Sequence, residues 1–174
     1  QLIEKLRQIQ MVYGIPVQSH LSESKGEIAF VKSLHPDDPF YGDVYNDYDL
    51  FGYNDDTDTH VKTVMAHCVW STAEEVRLMR KNGVYIAHCP ASNMNLSSGI
   101  APIRRYMELG MRVGLGSDVA GGHSDSIFRA ITDATEIPWI RLLYCYPDKI
   151  TPELVAEMAQ NDRVVKYIDI PLQH

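Results

Sequence analysis

Hydrophobic positions along this chain follow two periods. Residues 2–13 carry Leu2, Ile3, Leu6, Ile9 and Val12 at helical spacing, and Gly14 falls where a helix stops. The short apolar run at 15–19 predicts a buried strand that delivers His20 at its C-terminal end. Residues 22–34 predict a second helix, with Ile28, Phe30, Val31 and Leu34 inward and Ser22 as its N-cap. Residues 35–61 hold Pro36, Pro39, Gly42, Gly52 and many Asp and Tyr, with no sustained period. A loop of that length inside a compact domain is usually functional or disordered.

From residue 63 the pattern becomes regular. Residues 63–69 (T-V-M-A-H-C-V) predict a strand ending in His67, and Ser71-Thr72-Ala73-Glu74 reads as a capping box opening a helix to Lys81, stopped by Asn82-Gly83. Residues 84–89 predict a strand ending at His88, with Cys89-Pro90 running into a loop. A helix over 100–109 stops at Gly110, a strand over 112–118 ends in Asp118, Gly121-Gly122 makes a turn, and 124–136 reads as a helix. Further on come a strand over 139–146, a helix over 151–159 opened by Thr-Pro-Glu, and a strand over 164–170. Continuous apolar strands alternating with helices predict an α/β fold with a parallel sheet. In such sheets the chemistry sits at the C-terminal strand ends, and His20, His67, His88 and Asp118 occupy those positions.

Composition narrows the classes. A chain of 174 residues fits one ordinary domain, and 45% hydrophobic residues suffice for a core. The formal charge of −7 argues against a nucleic-acid surface. No apolar run approaches the roughly 18 residues of a membrane span. No secretory signal opens the chain, and Cys68, Cys89 and Cys145 form no C-x-x-C pair, so a reducing, cytoplasmic setting is expected.

Imidazole nitrogen and carboxylate oxygen are donors for zinc and for non-haem iron, and a metal held this way brings a bound water to a pKa of roughly 7. Asp118 can bind such a metal and also accept the water's proton. Glu23 can carry a proton to a leaving group, or serve only as a helix-start charge. His88 reads more simply as a rim or core histidine. Gly114, Gly116, Gly121 and Gly122 admit close backbone approach to a ligand, or make turns.

Four stretches carry a specific resemblance. They are V-Q-S-H-L-S-E at 17–23, V-M-A-H-C at 64–68, I-A-H-C-P-A-S-N-M-N-L-S-S-G at 86–99 and G-L-G-S-D-V-A-G-G at 114–122. Residues 1–137 resemble the C-terminal half of the barrel of the guanine deaminase family, in the amidohydrolase superfamily. The resemblance implies a partial (β/α)8 TIM barrel, about strands five to eight, and hydrolysis of guanine to xanthine and ammonia in purine catabolism. By it His20 and Asp118 are metal ligands, for zinc with iron as the alternative, and His67 bonds the attacking water or the substrate. Glu23 is the proton-shuttling acid, Asp118 is also the general base, and His20, Glu23 and Asp118 contact the purine. A homo-oligomer is expected of the complete enzyme.

The family's His-x-His pair is missing, since no two histidines here stand two apart. The chain is therefore expected to carry about half of the metal site and to be inactive alone, a fragment of a purine aminohydrolase. The alternatives are a nonenzymatic hybrid β/α remnant, or another aminohydrolase or chlorohydrolase of the superfamily. The P-C-x-x-C signature of zinc cytidine deaminases is absent. Residues 138–174 instead resemble an internal β-α-β piece of radical S-adenosylmethionine methylthiotransferases, without the cluster motif C-x-x-x-C-x-x-C, so no catalytic role is expected of them.

Overall fold

The computed structural model describes residues 2–118, 121, 136, 138, 140 and 150–166. It begins with α1 (Leu2–Tyr13), which ends at Gly14 with φ +61, a left-handed turn that glycine adopts without strain. Then follow β1 (Val17–Leu21), α2 (Lys25–Leu34), α3 (Tyr41–Asn46), β2 (Tyr53–Asn54), β3 (Thr59–His60), β4 (Thr63–His67) and α4 (Ala73–Lys81). After these come β5 (Tyr85–His88), α5 (Pro90–Asn95), α6 (Ile103–Glu108), β6 (Val113–Leu115) and α7 (Pro152–Gln160).

β1, β4, β5 and β6 form one parallel sheet in that order. The register explains its two faces. Gln18 pairs with Val64, His20 with Ala66, Ala66 with Ala87, and Ala87 with Gly114. These residues share one face because side chains alternate along a strand. The opposite face carries Leu21, Met65 and Ile86, which join Phe51, Val76, Met79, Val84 and Tyr106 in the buried core against the helices. The α/β class and the four parallel strands are as the pattern predicts, and the strands form part of a (β/α)8 barrel, as the resemblance implies.

Five local expectations are corrected. The N-cap of α2 is Ser24, not Ser22: Ser24 Oγ accepts from Glu27 N, and Glu27 Oε2 accepts from the backbone N–H of Glu23. Ser22 is instead buried at φ +47, its hydroxyl donating to Glu75 Oε2 at 2.8 Å. The α4 cap is Thr72, which accepts from Glu75 N, so the capping residue lies one place beyond Ser71. Residues 35–61 are not a structureless loop, because they hold α3 and the antiparallel pair β2–β3. Cys89-Pro90 opens α5 rather than a loop, and α6 starts only at Ile103 because Pro102 precedes it.

The chain divides into two compact units, 1–130 and 131–174. In the second, Thr151 caps α7 by accepting from Leu154 N, and Ile140 makes an isolated parallel bridge with Val164. Apart from Glu136, Ile140 and 164–166, the helix expected over 124–136 and the strands expected over 139–146 and 164–170 lie outside the described residues. Among the described residues no helix is long and apolar enough to cross a membrane.

Candidate active site

Parallel strands present their C-terminal ends on one side of a sheet, and there an open cleft of about 620 Å³ is lined by His20, Val64, Ala66, His67, Ala87, Cys89 and Asp118, among others. His20 reaches it by alternation from β1. His67 does not. Its register partner is Leu21, a core residue, so strict alternation would send its ring into the helix layer. Its φ of +71 turns the ring to the cleft, where it meets His20 edge-on with ring centroids 5.1 Å apart. Cys68, at φ +48, completes the exit, and the Tyr106 hydroxyl donates to its carbonyl at 2.6 Å. Ser22 at φ +47 and Asp118 at φ +46 leave their strands in the same left-handed region. Such conformations cost about 1–3 kcal/mol each in non-glycine residues and concentrate at functional sites.

His67 is fully buried. Its Nδ1 lies 2.8 Å from Asn93 Oδ1, so with a carbonyl facing it Nδ1 carries the hydrogen. That leaves Nε2 aimed between two carboxylates, Glu23 Oε2 at 3.7 Å and Asp118 Oδ2 at 3.9 Å, with no hydrogen-bond partner. Buried polar atoms are nearly always paired, so an orphan nitrogen between two carboxylates marks a place for a water, a ligand or an ion. Donor atoms of His20, Glu23 and His67 all lie within 4.8 Å of one another. This nitrogen and carboxylate set suits a borderline-soft divalent ion.

Asp118 is set by Ser92, whose hydroxyl donates to Oδ2 at 2.5 Å, and by a turn in which Gly121 N donates to the Asp118 carbonyl at 2.9 Å. A Cβ on Gly121 would come within 2.8 Å of Asp118 Oδ2. Glu23 receives the Ser98 hydroxyl on Oε1 at 2.8 Å. Sequence reasoning missed Ser92, Asn93 and Ser98; the signal available was the polar run A-S-N-M-N-L-S-S directly after a strand end. The structure brings His20, Glu23, His67 and Asp118 together. His88 does not line the cleft, and burial, helped by the neighbouring His67, holds its imidazole below the ordinary value. Burial, followed by the charge of Asp118, pushes the Cys89 thiol up to about 11, so it is protonated at neutral pH.

The amidohydrolase family profile matches residues 1–159, and the chain belongs to that family. The match passes residue 137, and the resemblance of 138–174 to methylthiotransferases finds no support in it. Guanine deaminase of Dictyostelium discoideum is 42% identical over 118 residues, which are 68% of this chain and 24% of that protein. Guanine deaminase of Homo sapiens is 37% identical over 142 residues, 82% of this chain and 30% of that one. Among solved structures, guanine deaminase of C. acetobutylicum with bound guanine superposes with a TM-score of 0.68 at 48% identity, covering 74% of this chain and 29% of that one. The chain thus spans under a third of the length of these relatives.

Proposed function

We propose that this chain carries the C-terminal part of the active site of a zinc-dependent guanine deaminase, which hydrolyses guanine to xanthine and ammonia. The observation that carries the reading is the orphan His67 Nε2 between Glu23 and Asp118, in a chain similar to guanine deaminases. His20, which also belongs to the cluster of donor atoms with Glu23 and His67, and Asp118 are the residues to which the family resemblance gives the metal. When bound, the ion supplies Lewis acidity that makes water a nucleophile near neutral pH.

The remaining work falls to the side chains. Asp118 accepts the proton of the attacking water and later releases one to the departing amino group. His67, its ring fixed by Asn93, orients the oxygen through Nε2. Glu23 holds a proton at Oε2, gives it to the ring nitrogen beside the attacked carbon, and contacts the purine together with His20 and Asp118. Atoms and protons balance: water adds, the C–N bond breaks and ammonia leaves, and the proton left on the new oxygen returns to Glu23 as the carbonyl forms. The reading implies a cytosolic role in purine catabolism and a homo-oligomeric enzyme.

The test is ammonia release by the full-length protein containing this chain, with guanine set against 5'-deoxyadenosine. The second substrate is included because a 5'-deoxyadenosine deaminase of Methanocaldococcus jannaschii is 34% identical over 125 residues. Guanine is expected to turn over, with activity lost to a chelator. Turnover of the nucleoside alone would replace the substrate, and turnover of neither would end the reading. The 174 residues expressed alone are expected to release no ammonia, since catalytic zinc sites generally use three protein ligands and only two are assigned here.

A further inference from the structure

We propose that Ser98 is a positioning residue for Glu23: its hydroxyl occupies Oε1 and so presents Oε2 to His67 Nε2. The inference rests on the guanine-hydrolysis reading for its catalytic consequence and on geometry for its placement. Ser98 is 6% exposed and lies 75 positions from Glu23 in sequence, yet its Oγ donates to Oε1 at 2.8 Å. A serine hydroxyl has one hydrogen. Given to Oε1, it leaves Oε2 as the oxygen that faces His67 Nε2, at 3.7 Å.

The donor is itself fixed by two further hydrogen bonds. Ser98 N donates to the Asn93 carbonyl at 2.9 Å, and Trp70 Nε1 donates to the Ser98 carbonyl at 2.7 Å. Trp70 is tied to the connection between β1 and α2 that carries Glu23, because its backbone N–H donates to the Ser22 carbonyl at 2.9 Å, and Lys25 Nζ sits 4.4 Å from its ring centroid. Ser97 at φ +55 and Gly99 at φ +123 bend the loop on either side. At Gly99 a Cβ would approach Val69 Cγ1 to 3.0 Å and the Trp70 ring to 3.3 Å, so only glycine lets the loop lie this close. Trp70 and the loop thus brace one oxygen of Glu23 while the other stays open. A free carboxylate would rotate between the two, and a proton donor displaced by about 1 Å can lose on the order of 10²-fold in rate.

The experiment is a double-mutant cycle in the full-length protein with guanine: Ser98→Ala, Ser98→Thr, Glu23→Gln and the Ser98→Ala/Glu23→Gln pair. Ser98→Ala is expected to lower kcat by roughly 10- to 100-fold with KM little changed, and with metal content and melting temperature near wild type. Ser98→Thr, which keeps the hydroxyl, is expected to recover most of the loss. In the Glu23→Gln background Ser98→Ala is expected to add almost nothing. Equal losses in both backgrounds, or an unchanged kcat, overturn the proposal. A crystal structure of the Ser98→Ala protein supplies an arm independent of turnover: a Glu23 carboxylate rotated away supports the inference, and an unmoved one overturns it. A wild-type protein inert toward guanine would remove the proposed function, while that crystal structure still decides the placement by Ser98.

Discussion

Two polar clusters flank this sheet, and they differ in what they leave open. Around Asp49, which is 3% exposed, both carboxylate oxygens are filled. Arg7 Nε and Nη2 donate to Oδ2 at 3.1 and 2.8 Å, and Thr57 Oγ1 and Asn54 Nδ2 donate to Oδ1 at 2.6 and 2.9 Å. The cluster ties α1 to the segment carrying β2 and β3 and has no capacity left for a ligand. At the cleft, His67 Nε2 is buried and unbonded, and Glu23 and Asp118 each take one serine hydroxyl. A saturated network holds the chain in place, whereas an unsaturated one keeps hydrogen-bonding capacity free for a ligand at some cost in stability. Glu75 sits on the saturated side: 1% exposed, it accepts from Ser22 Oγ at 2.8 Å and from Gly42 N at 2.7 Å.

The largest effect should come from the unsaturated side. Glu23→Gln keeps the shape and a hydrogen-bonding oxygen but removes the exchangeable proton. In the full-length protein kcat is expected to fall by about 10²–10⁴-fold, with metal content and folding unchanged. Near-normal kcat with a slightly lower melting point would move Glu23 into the structural class, as a helix-start charge worth roughly 0.3–1 kcal/mol.

This contrast was half visible in the sequence. A short apolar run closed by a polar residue marks a strand end to within a few residues: β4 stops at His67, but β1 runs on to Leu21 and β6 stops at Leu115, and His20, His67 and Asp118 were found that way. The brackets Ser92, Asn93 and Ser98 were not, because their partners are 26 to 75 positions away and no local period encodes them. Nor does a period reveal that His67 faces the cleft, since alternation predicts the opposite and a positive φ overrides it. The helices α3 and α5 escaped because six residues show little repeat and, unlike the equally short α6 before Gly110, neither is closed by a glycine stop; such helices are held by packing rather than propensity. The α2 cap was legible and misassigned. Ser24-x-x-Glu27 is the capping-box spacing, whereas Ser22 is followed three places on by Lys25.

A smaller effect is expected from the saturated carboxylate nearest the site. Glu75→Ala leaves the Gly42 N–H and the Ser22 hydroxyl buried without their acceptor, and each such group costs about 1–3 kcal/mol. The urea midpoint should fall accordingly, whatever ligand is present. A midpoint within experimental error of wild type would show that Ser22 and Gly42 find other partners and that Glu75 is not the brace it resembles.

The smallest effect, and the sharpest test of saturation, is the pH dependence of Asp49. Burial alone would raise its carboxyl, but the hydrogen bonds from Thr57 and Arg7, the Arg7 charge and the Asn54 hydrogen bond outweigh it and hold it below the usual carboxylate range. A group whose folded-state pKa is depressed contributes stability above its unfolded value, about 3.9 for Asp, and loses it as pH falls through the folded value. Arg7 is 31% exposed, so solvent screens the pair and the contribution is modest. Asp43 and Asp47 shift the other way, raised by burial first and then by neighbouring aspartates, and they relieve strain as pH falls. The wild-type profile is therefore a sum of opposing slopes, and only a difference isolates Asp49. Asp49→Asn keeps the size and one acceptor oxygen but no longer titrates. The stability gap between wild type and Asp49→Asn, measured by urea unfolding, is expected to be constant near neutral pH and to narrow as pH drops below about 4. A gap that stays the same down to pH 3 would mean that Asp49 is held by shape and neutral hydrogen bonds rather than by its charge.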